Sequence, residues 1–270
     1  MESLRQTSIN GLSLSSLQLY HIIGRFFNCP SAAIFISGLT FLSVKAIISA
    51  LGGGGVKETI YSIPINESFE ITDGHCPVCR LHRKLTEDTL DYILGAAMME
   101  PDVRRRSNDQ GFCTAHLSAL LKRQKRLPLS LILQTHLDTL ADNEKLLLGE
   151  SPCFVCVRAG GFLAAYYSNI IYLWHKEDSF RKKWDDRHFI CKPHAAGLAA
   201  AAPLTLHKKD AAGFLQSLRK KEEAAARQIS ESLGIFIRSF DHRFAGEPLG
   251  EHKQAVQRAA EYLAGVYENV

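Results

Sequence analysis

Six of the seven cysteines in this 270-residue chain stand in four short pairs: Cys76-x-x-Cys79, Cys113-x-x-His116, Cys153-x-x-Cys156 and Cys191-x-x-His194. Donors three residues apart at the opening of a helix fall on one face, so each pair can offer a metal ion two soft ligands. The pairs recur in matched order. Between Cys79 and Cys113 lie 33 residues, between Cys156 and Cys191 lie 34, and the second set follows the first by about 77. That is the pattern of an internal repeat. It predicts two structural zinc ions held by Cys76, Cys79, Cys113, His116, Cys153, Cys156, Cys191 and His194. A redox Cys-x-x-Cys belongs at a strand-to-helix turn of a βαβ unit, and no such unit is legible. Disulfides would leave His116 and His194 without a reason. Mixed cysteine and histidine ligands at this spacing suit zinc better than an iron–sulfur cluster.

The pairs can combine in two ways. Sequential pairing joins Cys76, Cys79, Cys113 and His116 in one Cys₃His site and Cys153, Cys156, Cys191 and His194 in the other. Cross-braced pairing joins first to third and second to fourth, making one Cys₄ and one Cys₂His₂ site. Since each repeat carries a full ligand set, the expectation is sequential.

The rest of the chain reads as helical. Leu85, Leu90, Ile93, Leu94, Ala97 and Met98 recur at helical spacing over 85–99, with Glu87 and Asp88 in the first turn, where the helix dipole favours them. A second helix is expected over 128–149, opening on proline and closing on glycine. Further helices are expected over 157–184, over 194–202 with Pro203 as its stop, over 208–244 and over 249–267. The long stretch 208–244 marks one face with Phe214, Leu218, Ala225, Ile229, Leu233, Ile237, Phe240 and Phe244. Residues 56–70, with Ile60, Ile63 and Ile65 around Pro64, read as an extended lead-in. The fold class is therefore all-α, a helical domain built on two repeated zinc-knuckle units followed by long amphipathic C-terminal helices. Units of 56–149 and 150–206 would each carry one zinc site, with helices of 207–270 packed on them.

Residues 1–55 differ in texture. From Ser3 to Val56 there is no acidic residue, and Ser31 to Leu51 is apolar with Lys45 as its one charge. The stretch just reaches the ~20 residues of a membrane anchor, and it lacks the clean cleavage site of a signal peptide. A third reading is a misplaced start. A ribosome-binding purine run read in frame yields the four glycines at 52–55, and Val56 would be a GTG start codon. A membrane enters only if 1–55 is native protein. Cys29 is assigned no role.

Several stretches of the remaining sequence resemble a bacterial family known only as a domain of unknown function. These are "KETIYSIPINESFE", the run from "CPVCRLHRK" through "GFCTAHLSALL", and "LILQTHL". The resemblance spans 56 to about 245 and is most specific at the first Cys-x-x-Cys to Cys-x-x-His unit. It implies a cytoplasmic protein, carries no activity with it, and leaves 1–55 outside the domain.

Composition excludes little but narrows the partners. The formal charge is +4, from 32 basic and 28 acidic residues, and two ions each bound by three thiolates would lower it to about +2. That balance argues against nucleic acid, and the basic runs at 104–106, 122–126, 181–183 and 219–221 read as solvated faces. His136 lies on the apolar face of its helix and reads as a buried histidine bonded to a neighbour. It is also the best base available to an enzyme. His75 and His82 flank the first knuckle as solvated groups or as supports behind the ligands. A four-ligand zinc leaves no open position for water or substrate. The reading is therefore a zinc-stabilised, non-catalytic protein-interaction or metal- and thiol-sensing module with a protein partner, the helices at 157–184 and 208–244 offering the contact. The alternatives are an enzyme with a pocket between the zinc units that uses His136, and a nucleic-acid-binding zinc protein.

Overall fold

A computed structural model describes residues 57–142, 152–186, 189–244 and 248–265, so the expectations for residues 1–55 fall outside the described part. Ten α-helices and no strand occupy these residues. They are α1 Lys57–Glu70, α2 Pro77–Ile93, α3 Pro101–Gln110, α4 Thr114–Lys122, α5 Arg126–Asp142, α6 Phe154–Lys176, α7 Asp178–Asp185, α8 Lys192–Thr205, α9 Lys208–Arg238 and α10 Ala255–Ala264. The all-α class holds.

The lead-in is a helix, not an extended segment. Tyr61, Ile65 and Phe69 recur at four-residue steps; Ile65 and Phe69 are fully buried and Tyr61 packs on the same core. Ile63, which gave the stretch its extended look, is 61% exposed. Burial of this stripe outweighs the cost of Pro64 inside the helix. The end of α1 is tied to the start of α2: Ser68 Oγ donates to the Pro77 carbonyl at 2.7 Å and Arg80 donates to the Ser68 carbonyl at 2.9 Å.

The stretch expected as one helix over 157–184 is broken at Glu177, whose φ of −115° and ψ of 111° are extended. Arg181 crosses the break and donates to the Trp174 carbonyl through Nε at 3.1 Å, satisfying acceptors that the end of α6 leaves open. The turn lets Phe180 and Trp184 on α7 enter the core fully buried. Pro203 does not stop α8, which runs on to Thr205. In α9 the expected stripe divides. Phe214, Leu218 and Ala225 are buried, whereas Ile237 is 67% and Phe240 78% exposed. The helix gives way to a short 3₁₀ turn at His242–Phe244.

The core has two parts, and α2 and α6 pass through both. Val78 and Leu81 on α2 lie in the first part with Leu163, Ile170 and Leu173 of α6. Leu90 and Ile93 lie in the second with Phe154 and Val155. The beginning of each helix therefore meets the end of the other, and the two run antiparallel. Around α6 pack α1, α2, α3, α7, α8 and α9. Among the described residues α6 alone is long and apolar enough to cross a membrane; its Leu163, Tyr166, Tyr167, Ile170, Ile171 and Leu173 are buried in the core.

Candidate metal centres

All four ligand pairs are built alike. Cys76, Cys113, Cys153 and Cys191 are the N-cap residues of α2, α4, α6 and α8, each in extended conformation with no side-chain capping bond. The second member of each pair, Cys79, His116, Cys156 or His194, follows in the first turn. The thiols thus lie beside the positive end of a helix dipole, which favours their thiolate form. Pro77, at the first position of α2, fits a site with no intrahelical partner for an N–H.

The four helix starts converge two by two. Cys76, Cys79, Cys191 and His194 form one cluster, all buried, and Cys113, His116, Cys153 and Cys156 form the other, with Cys113 and His116 half-buried. We call them the inner and outer centres. Each is Cys₃His, but the expected sequential pairing is wrong, and so is its cross-braced rival. The first pair meets the fourth and the second meets the third. The antiparallel course of α2 and α6 is the reason. The 17 residues of α2 carry the chain about 25 Å away from Cys76. Cys113 then emerges beside the start of α6, where the Phe154 N–H donates to the Gly111 carbonyl at 3.0 Å. The 23 residues of α6 lead back toward the start of α2, where α8 delivers Cys191 and His194.

Distances within each cluster suit a tetrahedral ion. In the inner centre His194 Nδ1 lies 3.0, 3.3 and 3.8 Å from the sulfurs of Cys191, Cys79 and Cys76, and Cys79 and Cys191 are 3.4 Å apart. In the outer centre His116 Nδ1 lies 3.2, 3.4 and 3.3 Å from Cys113, Cys153 and Cys156. Zinc bonds of ~2.3 Å to sulfur and ~2.0 Å to nitrogen give tetrahedral edges of roughly 3.5–3.8 Å. The thiols also report crowding of negative charge. Hydrogen bonds from Cys113 and Cys156 push the Cys153 thiol down to about 3, while the hydrogen bonds of Cys113 and Cys153 push Cys156 up. Cys191 is raised by Cys76 and Cys79 in the same way. Three thiols this close ionise together only beside a cation, which is the chemistry of a thiolate metal site.

Supporting groups gather at the inner centre. His194 Nε2 lies 3.4 Å from His82 Nδ1. With His194 Nδ1 turned to the sulfurs, its Nε2–H donates to His82, which fixes both tautomers. Burial first, then His194 and His116, push His82 down to about 4, so it stays neutral. Over the cluster lies α10. Phe189 and Tyr262 stack edge-on at 5.7 Å, and a Cβ at Gly265 would touch Cys79 and Cys191 sulfurs at 3.6 and 3.9 Å. Glu222 reaches the Ile190 N–H at 3.4 Å, and burial raises it to about 7. His75 pairs instead with Glu261 at 3.0 Å. His82 was legible as a support; Glu222 and Tyr262 were not, because no local spacing links them to the cysteines.

His136 takes the bland course. Its Nδ1–H donates to the Asn108 carbonyl at 2.6 Å, and a Cβ at Gly111, whose φ is +65°, would fall 2.8 Å from Nε2. A cavity of about 300 Å³ lies elsewhere, lined by Asp73, His75, Cys76, Arg80 and Arg83. Every basic run has members engaged locally. Arg104 donates to the Leu131 carbonyl and Thr135, Arg105 pairs with Asp102, and Arg123 with Glu87 and Asp91. Lys183 pairs with Glu70 and Arg219 with Glu223.

Fold and centres together define an all-helical protein with two Cys₃His clusters that could each hold a metal ion. The chain belongs to a family of unknown function, DUF6062, whose model matches residues 56–151 and 143–270. No curated protein and no solved structure matches it.

Proposed function

We propose that this protein is a two-zinc helical module with a non-catalytic role, in which the ions clamp the two halves of the chain to each other and the far end of α9 meets a protein partner. The observation that carries the reading is the completeness of each cluster. Four soft donors of matched spacing fill a tetrahedron and leave no position for a substrate or a reactive water. Supporting a partner surface at the end of α9 and the turn after it, Ile237 and Phe240 stay exposed there, while Leu163, Ile170, Ile171, Phe180 and Trp184 of 157–184 are buried in the core. His136, committed to Asn108, supports no catalytic use. Elemental analysis of protein purified without chelators tests the reading. Two zinc ions per chain are expected, and a metal-free folded protein would overturn it.

One observation favours a second, sensing role. Cys113 and His116 of the outer centre are half-buried, whereas all four inner ligands are buried. A peroxide that oxidises two outer thiolates to a disulfide is itself reduced to water and removes two of the ligands, releasing the ion. Zinc release on peroxide treatment from the outer centre alone would support this role; equal release from both would count against it.

A further inference from the structure

Two arginines on different helices come to the turn before α2 without a partner. Arg83 stands on α2, and the carboxylate best spaced to pair with it, Glu87 one turn on, is committed to Arg123. Arg258 stands on α10, and its neighbour three residues on, Glu261, is buried and engaged by His75 and by Gln257, each at 3.0 Å. Neither guanidinium has an ion pair or hydrogen bond among the described residues. A Cβ at Gly74, in the turn, would stand 4.0 Å from Arg258 Nη2. On either side of Gly74, Asp73 and His75 line a cavity of about 300 Å³ together with Cys76, Arg80 and Arg83. Its wall is preset. Arg80 donates to Asp73 Oδ2 at 2.6 Å and to the Ser68 carbonyl at 2.9 Å, and the His75 N–H donates to Asp73 Oδ1 at 3.1 Å. Both oxygens of Asp73, the one acidic residue of the lining, are thus engaged within the turn.

We propose that this cavity binds a small oxyanion, the phosphate or carboxylate group of a free metabolite, with Arg83 and Arg258 as its charged contacts and Arg80 as a fixed wall. A guanidinium fork matches two oxygens of either group. Solvent alone can satisfy one exposed arginine. Two that meet at one concave turn, each with the carboxylate at helical spacing taken elsewhere, leave positive charge that an anion can meet. The volume lies at the lower end for small-molecule sites, too small for a folded partner. Cys76 lines the cavity but is only 2% exposed, so the arginines hold the occupant and a metal does not. None of these charged contacts is a residue of either centre, and the proposal does not depend on the metal reading.

Titration calorimetry on the full chain, purified without chelators and held at constant ionic strength with chloride, tests this with inorganic phosphate and succinate as probes. Saturable binding with a Kd of about 1 mM or tighter is expected for at least one probe, and the tighter of the two names the group. Arg83→Gln and Arg258→Gln should each weaken it about tenfold. Arg219→Gln, which removes an exposed arginine already paired with Glu223 on α9, should leave it unchanged. In the parent chain the side-chain NMR signals of Arg83 and Arg258 should shift with the same affinity, a reading that needs no variant to fold. No saturation by either probe, or equal weakening by Arg219→Gln, would overturn the proposal. So would binding to phosphatidylserine vesicles with no response to the free probes, which would assign the arginines to a membrane surface.

Discussion

The inner and outer centres have the same ligands, the same helix-start geometry and opposite surroundings. The inner one is roofed by the end of α10 and backed by His82, and all four of its residues are buried. The outer one shares its sulfurs with the core through Cys153 and Cys156 but leaves Cys113 and His116 half-buried. Identical donors can therefore serve unequal ends. What surrounds a site, more than what ligates it, decides how firmly it holds an ion and how much of the fold depends on it.

The largest expected difference is in stability. Cys191→Ser removes a fully buried ligand and leaves two thiolates and an imidazole around a weakened ion. It should cost on the order of 5 kcal/mol, enough to abolish a cooperative melt in a domain of ordinary stability. Cys113→Ser, half-exposed, should cost about half as much. Thermal unfolding followed by circular dichroism checks both, and equal losses would erase the distinction between the centres.

Kinetics should sharpen the same contrast. A strong chelator is expected to withdraw zinc in two phases, the first from the outer centre and faster by at least tenfold, because that site is reached without moving α10. Assigning the phases needs only the Cys113→Ser variant, in which the fast phase should disappear. A single phase in the parent chain would mean that the roof over the inner centre offers no protection.

A smaller effect concerns the ground beneath the inner centre. Burial raises Glu222 to about 7 from 4.5. A carboxyl with a raised folded-state value binds its proton more tightly in the folded chain than in the unfolded one. It therefore lends stability at pH values below 4.5, and this is lost as the pH climbs toward 7. Glu222→Gln, neutral at every pH, should melt higher than the parent at pH 8, by about 1 kcal/mol once the partial exposure of the group is allowed for. The two should converge near pH 4, and a parent that is equally stable across this range would contradict the assignment. The smallest effect belongs to the turn just past α9. Phe240→Ser should change stability by less than about 0.5 kcal/mol while weakening any partner contact. Phe214→Ala, on the buried half of α9, should cost about 3–5 kcal/mol.

How much of this was legible in the sequence follows from the range over which each signal acts. The eight residues that gather in the two clusters were, because Cys-x-x-Cys and Cys-x-x-His are local patterns that place both donors on one helix start. The all-helical class was legible for the same reason. The pairing was not: matched gaps of 33 and 34 residues suggest self-contained units, while the antiparallel packing of α2 on α6 separates Cys76 from Cys113 and hands each Cys-x-x-Cys to a distant partner. The lead-in was misread because Ile60, Ile63 and Ile65 mimic alternation, whereas the buried stripe is Tyr61, Ile65 and Phe69. Glu177 gives no sign of breaking a helix, and that break exists so that Phe180 and Trp184 can turn inward. Pro203 looked like a stop, yet α8 carries it to Thr205.

The nested pairing of ligands is the central claim, and two double variants test it most directly. Cys76→Ser with Cys191→Ser touches only the inner centre, whereas Cys76→Ser with Cys113→Ser touches both. The first should retain one tightly held zinc whose X-ray absorption fits three sulfurs and one nitrogen, and the second should retain none with that shell. If instead Cys76→Ser with Cys113→Ser keeps one intact three-sulfur site and Cys76→Ser with Cys191→Ser keeps none, the ligands pair sequentially and the nested account is wrong.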